Sequence, residues 1–192
     1  MKKLLLAILC TLSLSAQAQT YGVGAQYEYD SATNNPVGLN YTNKVGVLGG
    51  FKTQYGQFDG GFYQVHIDGD RFSDSQQGIE LGYGNALPLG PFILSGRVAE
   101  GKVFNRGLGA RNDTAFYRTY AAALAFPISD TVSPFIGYRN RPHKDFDEQN
   151  QYSIGVNYRL TTTEALQFSI RQTRSTNGPI LNGFSTQYLH YF

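Results

Sequence analysis

The chain is 192 residues long, a normal length for one domain, and carries 16 Lys+Arg against 14 Asp+Glu. Lys2 and Lys3 supply the whole excess, since 16 − 2 leaves 14 against 14, so the basic face or stripe that nucleic acid binding requires is not expected. The only cysteine is Cys10, near the start, which excludes disulfides and thiolate metal sites from the rest of the chain.

Residues 1–18, MKKLLLAILCTLSLSAQA, begin with the two lysines, continue as an apolar stretch over 4–14 and close on Ala16-Gln17-Ala18. That pattern predicts a secretory signal peptide cut after Ala18. The apolar stretch is too short to cross a bilayer as a helix, which takes about 20 residues. Cys10 is a poor lipoprotein anchor, because bulky Leu9 precedes it and it sits in the middle of the apolar stretch. The remainder, 192 − 18 = 174 residues, is read as one domain over 19–192. It holds no second long apolar segment, so a helical membrane protein is excluded. It is rich in Gly (22), Tyr (14) and Phe (13), a mixture that disfavours helices and favours many short strands.

Ten strands are predicted, at 20–30, 43–53, 57–68, 77–86, 91–104, 113–126, 132–141, 149–160, 164–174 and 181–192, with eight the alternative count if 57–68 and 132–141 are discounted. The first, TYGVGAQYEYD, begins directly after the cleavage site. Connections alternate in length along the chain. DSATNNPVGLNYTN (30–43), DGDRFSDSQQ (68–77), FNRGLGARND (104–113), NRPHKDFDEQN (140–150) and TRSTNGPILN (173–182) read as long polar loops; TQYGQ (53–57), ALPLGP (86–91), PISDTVSP (127–134) and LTTTEA (160–165) read as short turns. An even number of antiparallel strands with short turns at one end and long loops at the other is the pattern of a transmembrane barrel.

Several strands are two-sided. Tyr21, Val23, Ala25, Tyr27 and Tyr29 oppose Gly22, Gly24, Gln26 and Glu28; Ile79, Leu81 and Tyr83 oppose Glu80, Gly82 and Gly84; Leu166, Phe168 and Ile170 oppose Gln167, Ser169 and Arg171. QYSIGVNYRL at 151–160 alternates in the same way. A soluble barrel would hide the apolar face and show the other to water, and such surfaces are roughly a quarter to a third charged. Here only 16% of all residues are charged, and many of those fall in the loops. The reverse arrangement, tyrosines at the lipid boundary and small residues with paired charges inside, accounts for more of the pattern. The fold class expected is therefore all-β: a closed, antiparallel, up-and-down transmembrane β-barrel, water inside and lipid outside. In 57–68 and 132–141 the apolar neighbours Phe62/Tyr63 and Phe135/Ile136 leave the register open, YRTYAAALAF is apolar on both faces, and Leu48 falls on the inner face.

The chain ends STQYLHYF, with Phe192 behind Tyr188 and Phe184 in alternation. On this ending, the leading signal and the strand count, the chain resembles the small outer-membrane β-barrels of Gram-negative bacteria, the OmpA/OmpX-like class. His190 departs from the pattern, standing where the class has an aromatic or aliphatic residue. The resemblance implies location in the outer membrane, a monomer in contact with lipid and lipopolysaccharide, and recognition of the last strand (Tyr188, Phe192) by the barrel-assembly machinery.

The candidate lumen charges are Glu28, Glu80, Arg97, Arg159 and Arg171, with Lys44, Lys52 and His66 beside them and Arg118 and Arg139 as further members. They line either a charged channel or a plug of ion pairs. The narrowness of a small barrel, and the cost of an unpaired charge inside it, favour the plug, with Glu28 and Glu80 set against arginines. No catalytic, cofactor or metal site is assigned. His143 with Asp145 or Asp147 could form an acid–base pair in the 140–150 loop, and its carboxylates a weak calcium site, but a solvated loop is the default. Outer-membrane proteases use Asp and His at the outer rim, yet carry paired acidic motifs that are missing here. The lipid-A palmitoyltransferase type has an amphipathic helix before its first strand. The deacylase type pairs His with Ser, but His190 and Ser185, five residues apart, fall on opposite faces. The expected role is thus structural or surface interaction through five loops, with a narrow diffusion channel and a rim-site enzyme as alternatives.

Overall fold

In the computed structural model the described residues are 20–33, 38–106, 114–142 and 148–192. The signal peptide expected over 1–18 and the His143/Asp145/Asp147 group lie outside them. The ten strands are β1 (Thr20–Thr33), β2 (Leu39–Thr53), β3 (Gly56–Gly69), β4 (Phe72–Leu89), β5 (Phe92–Arg106), β6 (Thr114–Ala125), β7 (Val132–Arg141), β8 (Gln149–Arg159), β9 (Glu164–Ser175) and β10 (Ile180–Tyr191). Each pairs antiparallel with its sequence neighbours, and β1 pairs with β10 to close the barrel. Closure leaves no sheet edge, the condition for strands to stand in lipid with every backbone group satisfied.

The register fixes the shape. A ladder row begun at Thr20 runs through Lys52, Gln57, Gly84, Arg97, Ala121, Arg139, Gln151, Thr173 and Leu181 and returns to β1 at Ala32, 32 − 20 = 12 residues further along. Ten strands with that stagger tilt by about 40° and enclose a backbone radius of roughly 10 Å. Residues 20 and 192 lie at one mouth, called here the terminal mouth, together with the connections at 54–55, 90–91, 126–131 and 160–163. Gly56 (φ 148°) and Gly90 (φ 61°) supply left-handed backbone at two of those turns.

The strands reach further than the sequence pattern predicts at the distal mouth. DGDRFSDSQQ is no long loop: β3 continues to Gly69 and β4 starts at Phe72, so the connection is Asp70-Arg71. A hairpin that leaves the membrane is polar on both faces, so its sequence looks like a loop while its ladder continues.

The outward face is apolar. Val47, Leu81, Phe116, Ile154 and Ile170 are 56–70% exposed, which water would penalise and lipid would not. Aromatic rings follow one ladder row near the terminal mouth, Tyr21–Phe51–Phe58–Tyr83, with neighbouring centroids 6.5, 5.2 and 5.0 Å apart. A second group, Tyr29–Tyr41 and Tyr138–Tyr152, stands nearer the distal mouth at 6.0 and 5.4 Å. Aromatic rings toward both ends of an apolar outer wall are what a bilayer selects.

The registers left open are settled by glycine. Tyr63 (6% exposed) and Phe135 (8%) point inward while Phe62 (44%) and Ile136 (57%) point outward. Each inward ring lies over a glycine on the next strand: a Cβ on Gly78 would stand 2.3 Å from the Tyr63 ring, and one on Gly155 2.8 Å from that of Phe135. Leu48 is also inward, over Gly61.

Candidate functional site

The functional candidate is the lumen, whose side chains form one connected network. Even-numbered residues of β1 point inward, which places Glu28 and Asp30 one above the other on the wall. Arg171 of β9 reaches both: its Nη1 lies 2.7 Å from Glu28, while Nε and Nη2 donate to Asp30 at 2.9 and 2.6 Å. Such a two-bonded fork is the strongest way to hold a carboxylate. Lys44, opposite Glu28 on β2, completes this group at 3.6 Å.

A second group occupies the facing wall. Arg97 of β5 donates through Nε to Asp59 at 2.9 Å and through Nη1 to Glu80 at 2.7 Å, with Nη2 also on Asp59. Gly82 makes this approach possible, since a Cβ there would stand 2.5 Å from the guanidinium. Arg141 of β7 comes to 3.8 Å from Glu80.

Two tyrosines join the groups. The hydroxyls of Tyr63 on β3 and Tyr117 on β6 are 2.8 Å apart and buried. Lys44 stands 4.6 Å from the Tyr63 ring centroid, and the Arg141 guanidinium 4.3 Å from that of Tyr117. Cations over tyrosine faces are attractive, more so when water is excluded. The chain of contacts thus runs Asp30–Arg171–Glu28–Lys44–Tyr63–Tyr117–Arg141–Glu80–Arg97–Asp59, with members on β1 to β7 and β9. In a barrel with a backbone radius of roughly 10 Å, side chains of this size meet across the lumen.

Glu28, Glu80, Arg97 and Arg171 therefore come together, as does Lys44, while Arg139 lies inward on the same row as Arg97. Arg159 stands apart: with Lys52 it is exposed at the terminal mouth, on the inward register but outside the network. Two residues expected in the lumen face outward. His66 pairs with Asn43 on the outer face and packs beside Tyr41 at 6.2 Å; Arg118 pairs with Glu100 at 2.8 Å on the outer wall. Both corrections follow from register: His66 differs in parity from Tyr63, and Arg118 sits next to inward Tyr117.

Sequence reasoning missed Asp30, Asp59, Tyr63, Tyr117 and Arg141. Asp30 and Arg141 continue the inner face two residues beyond Glu28 and Arg139, and carrying the alternation to the last residue of the predicted strands 20–30 and 132–141 would have found them.

At the C-terminal strand, Tyr188 faces outward and donates to Glu164 at 2.6 Å, and the Phe192 amide donates to the Tyr21 carbonyl at 2.8 Å. Ser185 is inward, bonded to Ser169 at 2.8 Å, whereas His190 lies outward beside Glu164, so the two share no site. Among the described residues no group of three or more His, Cys, Asp or Glu could hold a metal ion.

No family model matches the chain, and no curated protein matches it. Solved structures do. The β domain of the Bordetella autotransporter BrkA is similar with a TM-score of 0.62 at 12% identity, over 91% of this chain and 100% of that one. An outer membrane channel from Pseudomonas putida F1 gives 0.61 at 13% identity, over 90% and 95%. The translocator domain of the autotransporter NalP from Neisseria meningitidis gives 0.54 at 10%, over 97% and 96%. The chain therefore has the fold of an outer-membrane β-barrel: closed, antiparallel and ten-stranded.

Proposed function

We propose that this protein is an integral outer-membrane barrel, exported by means of a signal peptide cut after Ala18, whose lumen is closed by its own ion pairs and whose role is structural or surface-interacting. The observation that carries this reading is the network from Asp30 to Asp59, in which Tyr63 and Tyr117 meet across the interior. A lumen filled in this way transmits little, which leaves the distal connections as the working surface. On this reading the terminal mouth is periplasmic and the five distal connections face outside. The partners are then outer-membrane lipid and lipopolysaccharide, the barrel stays monomeric, and the last strand, with Tyr188 and Phe192, is what the assembly machinery engages.

Single-channel recording in a planar bilayer tests it. The refolded protein should insert, shown by a band shift between boiled and unboiled samples in SDS, and stay electrically silent. Stable, reproducible conductance steps would overturn the closed-lumen reading in favour of a narrow diffusion channel, a role that the fold likeness to the Pseudomonas putida channel supports.

A further inference from the structure

The turns at the terminal mouth are not alike. The β8–β9 turn is polar, Thr161 to Thr163, and is bracketed by Arg159 and Glu164. Across the barrel, the β4–β5 hairpin carries no charged residue from Leu81 to Gly96. Leu87, Leu89, Phe92 and Leu94 continue the outward face of β4 and β5 to its tip, each 39–58% exposed, and Pro88 and Ile93 between them are apolar too. The β6–β7 turn extends this patch: the Phe126 ring lies 5.3 Å from that of Phe92, and Ile128 is 60% exposed. Ser129 and Asp130 follow at the tip of that turn.

The hairpin also reaches further than its neighbour. β4 runs from Asn85 to Leu89 past its last pair with β3, Gln57↔Gly84. With the tilt and stagger of this barrel, Leu89 stands about 5 Å further out along the axis than Glu164 on β9, which lies opposite in the ring of strands. Among the described residues no strand lies against the edge from Asn85 to Leu89, and that edge carries no free donor. Even-numbered residues of β4 turn their backbone to this side, since the Gly84 carbonyl lies against Gly56. The Ala86 N–H is taken by the Asn85 side chain at 2.8 Å, and Pro88 has none. A free N–H is the costlier backbone group to leave in apolar surroundings, and a protein strand added here would find no donor to bond.

We propose that the end of the β4–β5 hairpin, with Phe126 and Ile128 of the next turn, is a one-sided lipid anchor. It dips into the acyl chains of the leaflet at the terminal mouth and inclines the barrel toward β4–β6. Its outer face continues the lipid-facing wall without a break, and Asp130 stays among the headgroups. The inference rests on the membrane reading above and adds to it where lipid contact ends on each side.

The chain has no tryptophan, so a single introduced one reports its position without background. Full-length Leu89→Trp, Ile128→Trp, Thr162→Trp and Ile154→Trp are refolded into phosphatidylcholine vesicles, with folding confirmed by the SDS band shift. The lipid chains carry bromine either just below the headgroups or near the bilayer centre. Leu89→Trp and Ile128→Trp should emit to the blue of Thr162→Trp and lose about half their emission to the shallow bromines, the depth of an interfacial anchor. Thr162→Trp should stay unquenched, and Ile154→Trp should be quenched most by the deep bromines. If Leu89→Trp and Ile128→Trp are as unquenched as Thr162→Trp while Ile154→Trp is quenched, the anchor is overturned, and the hairpin is a bare surface for a protein partner. Equal quenching of Thr162→Trp overturns it as well, since lipid contact would then be uniform around the mouth. An unquenched Ile154→Trp instead refutes the membrane reading, and the anchor with it. Should Leu89→Trp not fold, Leu87→Trp reads the same face.

Discussion

Tyr63 and Tyr117 are rooted three strands apart, yet their hydroxyls meet at 2.8 Å. On a wall with a backbone radius of roughly 10 Å the chord between those strands is about 16 Å, the reach of two tyrosines laid end to end. The rings can lie that way because β4 and β5 offer glycine beneath them: a Cβ on Gly78 would stand 2.3 Å from Tyr63, and one on Gly101 2.2 Å from Tyr117. Removing one hydroxyl strands the other in a buried place, so Tyr63→Phe or Tyr117→Phe alone should cost about 1–3 kcal/mol. The double Phe variant should cost less than the sum, because it leaves no orphan. Urea titration of folding in lipid vesicles reads all three, and strictly additive losses would show that the hydrogen bond contributes nothing.

Arg171 holds Glu28 and Asp30 at once, with its side chain only 4% exposed. Arg171→Met leaves two neighbouring carboxylates without their main partner and should destabilise the barrel by about 3–5 kcal/mol, the usual result of removing one member of a buried ionic group. Adding Glu28→Gln and Asp30→Asn to that variant should recover much of the loss, since neutral amides no longer demand a cation. The same vesicle titration checks the order, and a triple variant weaker than Arg171→Met would refute the charge argument.

The barrel was legible in the sequence because lipid outside and water inside impose a period of two that few other environments maintain for so long. Val47, Leu81 and Ile154 announce the outer face without help from tertiary structure. The lumen was legible only in part. Glu28 and Glu80 stood out in clean alternations, but Asp30 and Arg141 sat at the ends of their predicted strands, where stretches rich in Asn, Asp and Pro begin to read as loop. Tyr63 and Phe135 were ambiguous for a different reason. An aromatic residue inside a narrow barrel is admitted only by glycine on the adjacent strand, Gly78 or Gly155, and which strands lie adjacent in which register is information that one strand does not contain. The outward placement of Arg118 was hidden likewise, because Tyr117 and Tyr120, three apart, offered either face.

Gly90 closes the β4–β5 turn at φ 61°, and a Cβ placed there meets nothing within 4 Å. Substitution at this position is therefore a question of backbone alone. Gly90→Asn should be nearly neutral, Gly90→Ala should cost about 1 kcal/mol, and Gly90→Val should cost more, in the order of their tolerance for left-handed backbone. Folding midpoints in urea check the ranking, and equal midpoints for Asn and Val would contradict it.

The outer wall distinguishes depth. Ile154 stands between Ile136 and Ile170 on one ladder row, 56% exposed, with apolar neighbours on both sides. Ile154→Lys should cost about 2–4 kcal/mol, the penalty for a cation near the middle of the bilayer. Arg118 also faces outward but lies toward the distal mouth, held to Glu100 at 2.8 Å with both side chains well exposed, so Arg118→Gln should leave stability unchanged within error. Two outward charges on one barrel thus differ through depth: near the headgroups water reaches the guanidinium, and at the centre nothing does. Measuring both variants in vesicles of one lipid separates depth from chemistry. If Ile154→Lys proved as harmless as Arg118→Gln, the surface at Ile154 would not be facing hydrocarbon, and the assignment of the apolar face to lipid would fail with it.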